Sequence, residues 1–147
     1  MIDFTIETEI ERPVAEVFAY VTDPDKLADW QTNTVSAEIE GGSPLGLGTR
    51  LREVHRGPGG KELASLVEVS EYEPERRFSL DVIEGALPVD ARIGFEPTAA
   101  GTRIAFNVKG QPRGPMRFLA PLLKVALKRQ FSEHLANLKR VLEDGGA

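Results

Sequence analysis

Residues 2 to 11 alternate: Ile2, Phe4, Ile6, Thr8 and Ile10 share one parity, and Asp3, Thr5, Glu7, Glu9 and Glu11 share the other. This is the pattern of a strand with one face in a core and one in water. At Arg12-Pro13 the period lengthens, because Val14, Val17, Phe18 and Val21 fall at helical spacing. Pro13 suits a first helical turn, where its missing N–H costs nothing. Asp23-Pro24 ends that helix and starts a second short one toward Leu27 and Trp30, since Asp accepts from orphan N–H groups and Pro presets φ. From 34 to 110 six strand-like runs are divided by Gly41-Gly42-Ser43-Pro44, Gly57-Pro58-Gly59-Gly60, Glu73-Pro74-Glu75, Gly85 to Pro88, and Pro97 to Gly101. After Gly110 to Pro115 the helical period returns. Leu119, Leu123, Leu127, Phe131, Leu138, Val141 and Leu142 then form one apolar stripe on a long helix that runs to about Glu143, where Gly145-Gly146 would end it.

The order of strand, two short helices, six strands and long helix defines an α+β fold with an antiparallel meander. The absence of helix-length segments between successive strands excludes a parallel βαβ architecture. Gly46-Leu47-Gly48-Thr49 therefore reads as a hairpin connection and not as a phosphate cradle, and no cofactor is expected. A sheet with one apolar face needs a cover, and the last helix is the element long enough to supply it. A chain of 147 residues fits one domain spanning 1–147.

Composition narrows the classes. With no cysteine there is neither a disulfide framework nor a thiolate zinc site, and a reducing cytoplasm is the expected location. The acidic, alternating start is no signal peptide, and no apolar stretch reaches bilayer length. A formal net charge of −5 opposes long-range attraction to nucleic acid or anionic lipid, although a local basic patch can override it.

Several short runs carry a resemblance: Pro13-Val14-Ala15-Glu16-Val17-Phe18 followed by Thr22-Asp23-Pro24 and Trp30, then Gly48-Thr49-Arg50, then Tyr72-Glu73-Pro74 with Arg76-Arg77-Phe78. Gly101-Thr102-Arg103 and the ending Leu135 to Glu143 complete it. The chain resembles the START-like, helix-grip superfamily, also called SRPBCC, and within it the polyketide cyclase/dehydrase-type members. The resemblance implies a curved sheet of about seven strands wrapped around the C-terminal helix, with a deep cavity between them. It implies no shared catalytic signature, because that superfamily spans carriers, receptors and cyclases.

Parity shows what faces such a cavity. Leu51, Glu53 and His55 lie on one face of the third strand, and Arg50, Arg52 and Arg56 on the other, so the arginines take the water and Glu53 and His55 point inward. A turn over 57 to 61 pairs His55 with Leu63 and Glu53 with Ser65, placing Leu63, Ser65, Val67 and Val69 on the same inward face. Later strands add Phe78, Leu80 and Val82, then Val89, Ala91, Ile93 and Phe95, then Ile104, Phe106 and Val108. On the long helix, Gln130 and His134 fall inside the apolar stripe, His134 beside Leu123, Leu127 and Leu138, and Leu119, Leu123 and Leu127 of that stripe are expected to face the cavity. Trp30 either plugs the core or touches a ligand.

Glu53, His55 and His134 admit two readings: satisfied structural groups, or a polar constellation in a greasy pocket able to orient a carbonyl or exchange protons. No metal is expected, since the spacing of His55, Glu53 and His134 is poor for a facial triad. With no cysteine and no Gly-x-Ser-x-Gly elbow there is no nucleophile to argue for. Lys124, Lys128, Arg129, Lys139 and Arg140 read as a solvated helix face. The Gly/Pro-rich segment from Pro112 to Leu123, with Met116, Phe118, Leu119 and Leu122, reads as an ordinary loop with an apolar first turn or as a gate over the cavity.

The expected partner is a small hydrophobic molecule such as a lipid, isoprenoid or aromatic polyketide, with no nucleic acid and no stable membrane insertion, on a monomer or homodimer. The alternatives are a cyclase or dehydratase using Glu53 with His55 or His134, and an interaction module with a vestigial cavity.

Overall fold

The alternating N-terminal run forms strand β1 (Ile2–Ile10) in a computed structural model that describes residues 2–145 except for 32, 43, 57, 86–88 and 113 and except for the side chains of 42, 58, 116 and 145. Helix α1 (Val14–Val21) follows directly, burying Val17, Phe18 and Val21. Asp23 accepts from the backbone N–H of Asp25 at 3.0 Å and opens a one-turn 3₁₀ segment, Pro24–Lys26, that leads into α2 (Leu27–Trp30). Six more strands come next: β2 (Thr34–Ile39), β3 (Arg50–Arg56), β4 (Glu62–Glu73), β5 (Arg77–Glu84), β6 (Val89–Pro97) and β7 (Thr102–Gly110). A 3₁₀ segment, Gly114–Leu119, then precedes the long helix α3 (Ala120–Gly145).

The seven strands form one antiparallel sheet in the order β1-β7-β6-β5-β4-β3-β2. The expected register holds between β3 and β4, with Glu53 opposite Ser65 and His55 opposite Leu63. The Gly46 to Thr49 segment turns in the β2–β3 connection, with Gly48 at φ 82° and its N–H donating to Val69 O at 2.9 Å. Glu73-Pro74-Glu75 turns with Arg76 N–H donating to Glu73 O at 2.9 Å. Parts of five other expected features lie outside the described residues: residues 43, 57 and 86–88 of their three turns, Arg113 and the Met116 side chain of the segment before the last helix, and Gly146 at its end.

The last helix differs from its periodicity at one end, because Leu119 belongs to the 3₁₀ segment and is 50% exposed. Pro121 explains the switch: it has no N–H to continue an i→i−4 ladder backwards, so the α-helix begins where Pro121 occupies its first turn.

Two apolar clusters join α3 to the sheet. In the larger, Leu135, Leu138 and Leu142 pack with Phe18, Trp30, Val69, Phe78, Phe95 and Phe106. In the smaller, Leu123, Leu127 and Phe131 pack with Ile2, Phe4 and Val108. The far end of α3 is clamped by polar contacts. Arg12 donates to the carbonyls of Leu142 at 2.8 Å and Glu143 at 3.0 Å, which satisfies end-of-helix acceptors. Gly101 is required beside this clamp, since a Cβ there would collide with the Ile10 carbonyl and sit 2.7 Å from the Arg12 nitrogen.

Candidate functional site

Between sheet and helix lies a cavity of about 150 Å³. Its apolar wall comes from Val67 of β4, Leu80 and Val82 of β5, Val89, Ala91 and Ile93 of β6, and Phe106 of β7. Phe131, Gln130 and His134 of α3 cover it, and Leu27, Gln31 and Asn33 close one end. Glu53, His55 and Ser65 form a polar side.

That polar side is connected. Glu53 is 6% exposed, and His55 Nε2 donates to its Oε1 at 2.9 Å. The other ring nitrogen, Nδ1, lies 3.3 Å from the Thr34 hydroxyl, which itself donates to Gln31 Oε1 at 2.8 Å. Thr34 reaches His55 because the two are register partners, with a bulge between Thr34 and Ser36 that shifts the pairing by one residue. The result is a hydrogen-bonded chain, Glu53–His55–Thr34–Gln31, with three of its four members on the cavity wall.

His134 stands on the opposite wall and is 3% exposed. Its ring packs edge-on against Trp30, with centroids 6.3 Å apart, and Phe131, with centroids 5.6 Å apart. Neither nitrogen has a hydrogen-bond partner among the described residues. Burial, reinforced by the charge of His55, pushes its pKa down to about 4. The ring is therefore neutral near pH 7, with one nitrogen able to donate and the other to accept. Among the described residues no group of three His, Cys, Asp or Glu side chains is arranged to hold a metal.

The cavity brings together Glu53, His55, His134, Ser65, Val67, Leu80, Val82, Ile93, Phe106 and Gln130. Other residues expected at the site lie elsewhere. Trp30 is 1% exposed and stacks edge-on with Phe106 and His134, behind the lining. Leu51, Phe78 and Phe95 are buried away from the cavity, and Phe95 meets Phe18 of α1 at 5.0 Å. Leu123 and Leu127 pack on Ile2, Phe4 and Val108, and Leu119 faces outward. Residue parity gave no warning of Leu27, Gln31, Asn33 or Thr34. The available signal was a cluster of polar residues directly after Trp30, in a connection where alternation has no meaning.

A family model described as polyketide cyclase / dehydrase and lipid transport matches residues 1–143. The chain belongs to this family. The antiparallel sheet and long C-terminal helix are the START-like, helix-grip arrangement expected from the sequence, and solved structures share that fold. A solved protein of Thermus thermophilus has 21% identity and a TM-score of 0.83, with 99% of each chain covered. A Nitrosomonas europaea protein has 18% identity and a TM-score of 0.79, over 99% of this chain and 96% of that one. A Staphylococcus aureus protein, described as of unknown function, has 14% identity and a TM-score of 0.76, over 99% and 95% of the two chains. At these identities the likeness is one of fold. No curated protein matches the chain in sequence. The family's name covers both ligand carriage and cyclase-type chemistry, and no helix of the described residues is long and apolar enough to cross a membrane.

Proposed function

We propose that the protein binds a small, largely apolar molecule bearing a hydroxyl or carbonyl group in the cavity beneath α3. His134 carries this reading: a neutral imidazole, buried at the cavity wall, with no partner for either nitrogen among the described residues. A buried polar group left in that state costs stability, and a ligand's polar group would complete it while the apolar walls take the rest. The volume of about 150 Å³ suits a single ring, since an aliphatic-lined cavity of about that size accepts benzene. A long lipid or a fused polyketide is larger than this volume.

Native mass spectrometry of the purified protein, with extraction of whatever co-purifies, is the first test. A panel of single-ring alcohols and ketones followed by calorimetry is the second. Ala91→Leu fills the cavity and is expected to weaken binding at least about tenfold. If neither a co-purified compound nor any panel member binds, or if Ala91→Leu binds as well as the wild type, the cavity reading fails.

The Glu53–His55 pair supports a second reading, proton transfer on a bound carbonyl compound. Glu53 or His55 would take a proton from the carbon next to the carbonyl, and the enolate oxygen would be met by a ring N–H. In D₂O, such a site speeds deuterium incorporation into bound cyclohexanone, and Glu53→Gln abolishes the acceleration while leaving binding within about threefold. Exchange no faster than in buffer assigns the pair to ligand orientation alone.

A further inference from the structure

The first half of α3 is apolar on two sides. Its inner side is covered by Ile2, Phe4 and Val108. Its outer side, continuing from the 3₁₀ segment, exposes Phe118 at 75%, Leu119 at 50%, Leu122 at 70% and Val125 at 67%. At about 100° per residue Leu122, Val125 and Arg129 share one outward strip. A surface helix normally puts polar residues there, and a contiguous exposed apolar patch marks a contact surface.

Charge identifies the occupant. In a chain of net charge −5, residues 97–132 contain no Asp or Glu, while Arg113, Arg117, Lys124, Lys128 and Arg129 cluster within it. Arg117, Lys124, Lys128 and Arg129 are exposed, and none of them is in an ion pair among the described residues. Arg117 lies over the Phe118 ring at 5.0 Å, so cation and apolar group present one surface. Glu133 is the first acid on this face, at the far end of the shallow groove lined by Leu122, Val125, Ala126 and Arg129. A second copy docking through the same patch would set these cations against themselves, because a twofold contact is self-complementary. A surface that is negative outside and apolar within meets both requirements.

We propose that the outer face of Gly114–Leu119 and the first half of α3 docks on anionic lipid membranes, its apolar side chains entering the headgroup boundary and its cations lying among the lipid phosphates. Docking is peripheral. Gln130 borders both the outer groove and the internal cavity, so the docked face and the cavity share a wall.

The test uses the full chain with vesicles of phosphatidylcholine alone or with about 30 mol % phosphatidylglycerol, at low and high salt. Sedimentation is expected only with the anionic vesicles, with loss at high salt. The exposed double variant Leu122→Ser/Val125→Ser is expected to lower partitioning at least about tenfold. Lys124→Gln/Lys128→Gln is expected to lower it roughly 25-fold at low salt, on the order of fivefold for each charge. Arg140→Gln, on the outer side of the other half of the helix, leaves it unchanged. A Phe118→Trp probe shifts its emission to the blue only with anionic vesicles. Circular dichroism confirms that each variant is folded. Equal binding to both vesicle types, binding that survives both double variants, or a dimer in light scattering that the Leu122/Val125 variant dissolves would each overturn the proposal. The last outcome would assign the face to a second copy. Vesicle binding needs no cavity ligand, so this test stands or falls apart from the cavity reading.

Discussion

The two halves of α3 obey different rules. From Ser132 onward the outward positions are Ser132, Glu133, Ala136, Arg140 and Asp144, while Leu135, Leu138 and Leu142 are 3%, 0% and 4% exposed. That is an ordinary amphipathic helix, and its end is tied by Arg12 and by Lys139, which donates to the Glu9 carbonyl. Before Gln130 the outward positions include Leu122 and Val125, and no comparable polar ties hold that end among the described residues. One half is built into the core by side chains on a single face. The other half covers the sheet and also presents itself to something outside.

If this division is real, truncating the two halves must have unequal effects. Leu138→Ala removes a fully buried side chain and is expected to cost about 3 kcal/mol in urea unfolding, whereas Leu122→Ala changes stability by less than about 0.5 kcal/mol. Similar values for the two would erase the contrast.

Acid probes the junction between the halves. His134 titrates at about 4 when folded against 6.5 when unfolded. The unfolded chain therefore binds a proton that the folded chain refuses. The stability this contributes is full above about pH 6.5 and is lost as pH falls through about 4, by about 3 kcal/mol in all. His134→Leu is expected to flatten that component and, in the absence of ligand, to stabilise the protein by about 1 kcal/mol at pH 7 by removing two buried nitrogens that have no partner among the described residues. A variant that keeps the wild-type slope between pH 7 and 4.5 would show that His134 holds its proton equally in the folded and unfolded chain.

The clamp is a smaller effect. Arg12→Ala frees two terminal carbonyls of α3 and is expected to cost about 1–2 kcal/mol, read in the same unfolding assay. The smallest signal is in hydrogen exchange. Amides in 122–128 are expected to exchange faster than those in 134–142, because fewer buried contacts hold them.

Much of the sheet was legible because alternation is a local property. The arginines at 50, 52 and 56 fixed the inward face of β3, and the turn length fixed Glu53 against Ser65. The helix stripe was less informative. Periodicity tells which side of α3 faces inward but not which part of the sheet lies opposite each turn. Leu123 and Leu127 therefore meet β1 and β7, and Gln130, Phe131 and His134 meet the cavity. The Thr34–His55 contact depends on a bulge, and the closure by Gln31 and Asn33 depends on how α2 packs. Neither leaves a periodic mark.

The pairing of β1 with β7 sets the timing of assembly. Ile2 lies opposite Gly110 and Ile10 opposite Thr102, so the first strand waits while about a hundred residues are laid down between them. During synthesis at about 5–20 residues per second, β1 spends several seconds as an unpaired amphipathic strand. Its alternating acids at Asp3, Glu7 and Glu9 are the kind of charge that discourages such a strand from joining a stranger's sheet. The acidic face of β1 thus serves the nascent chain before it serves the finished fold.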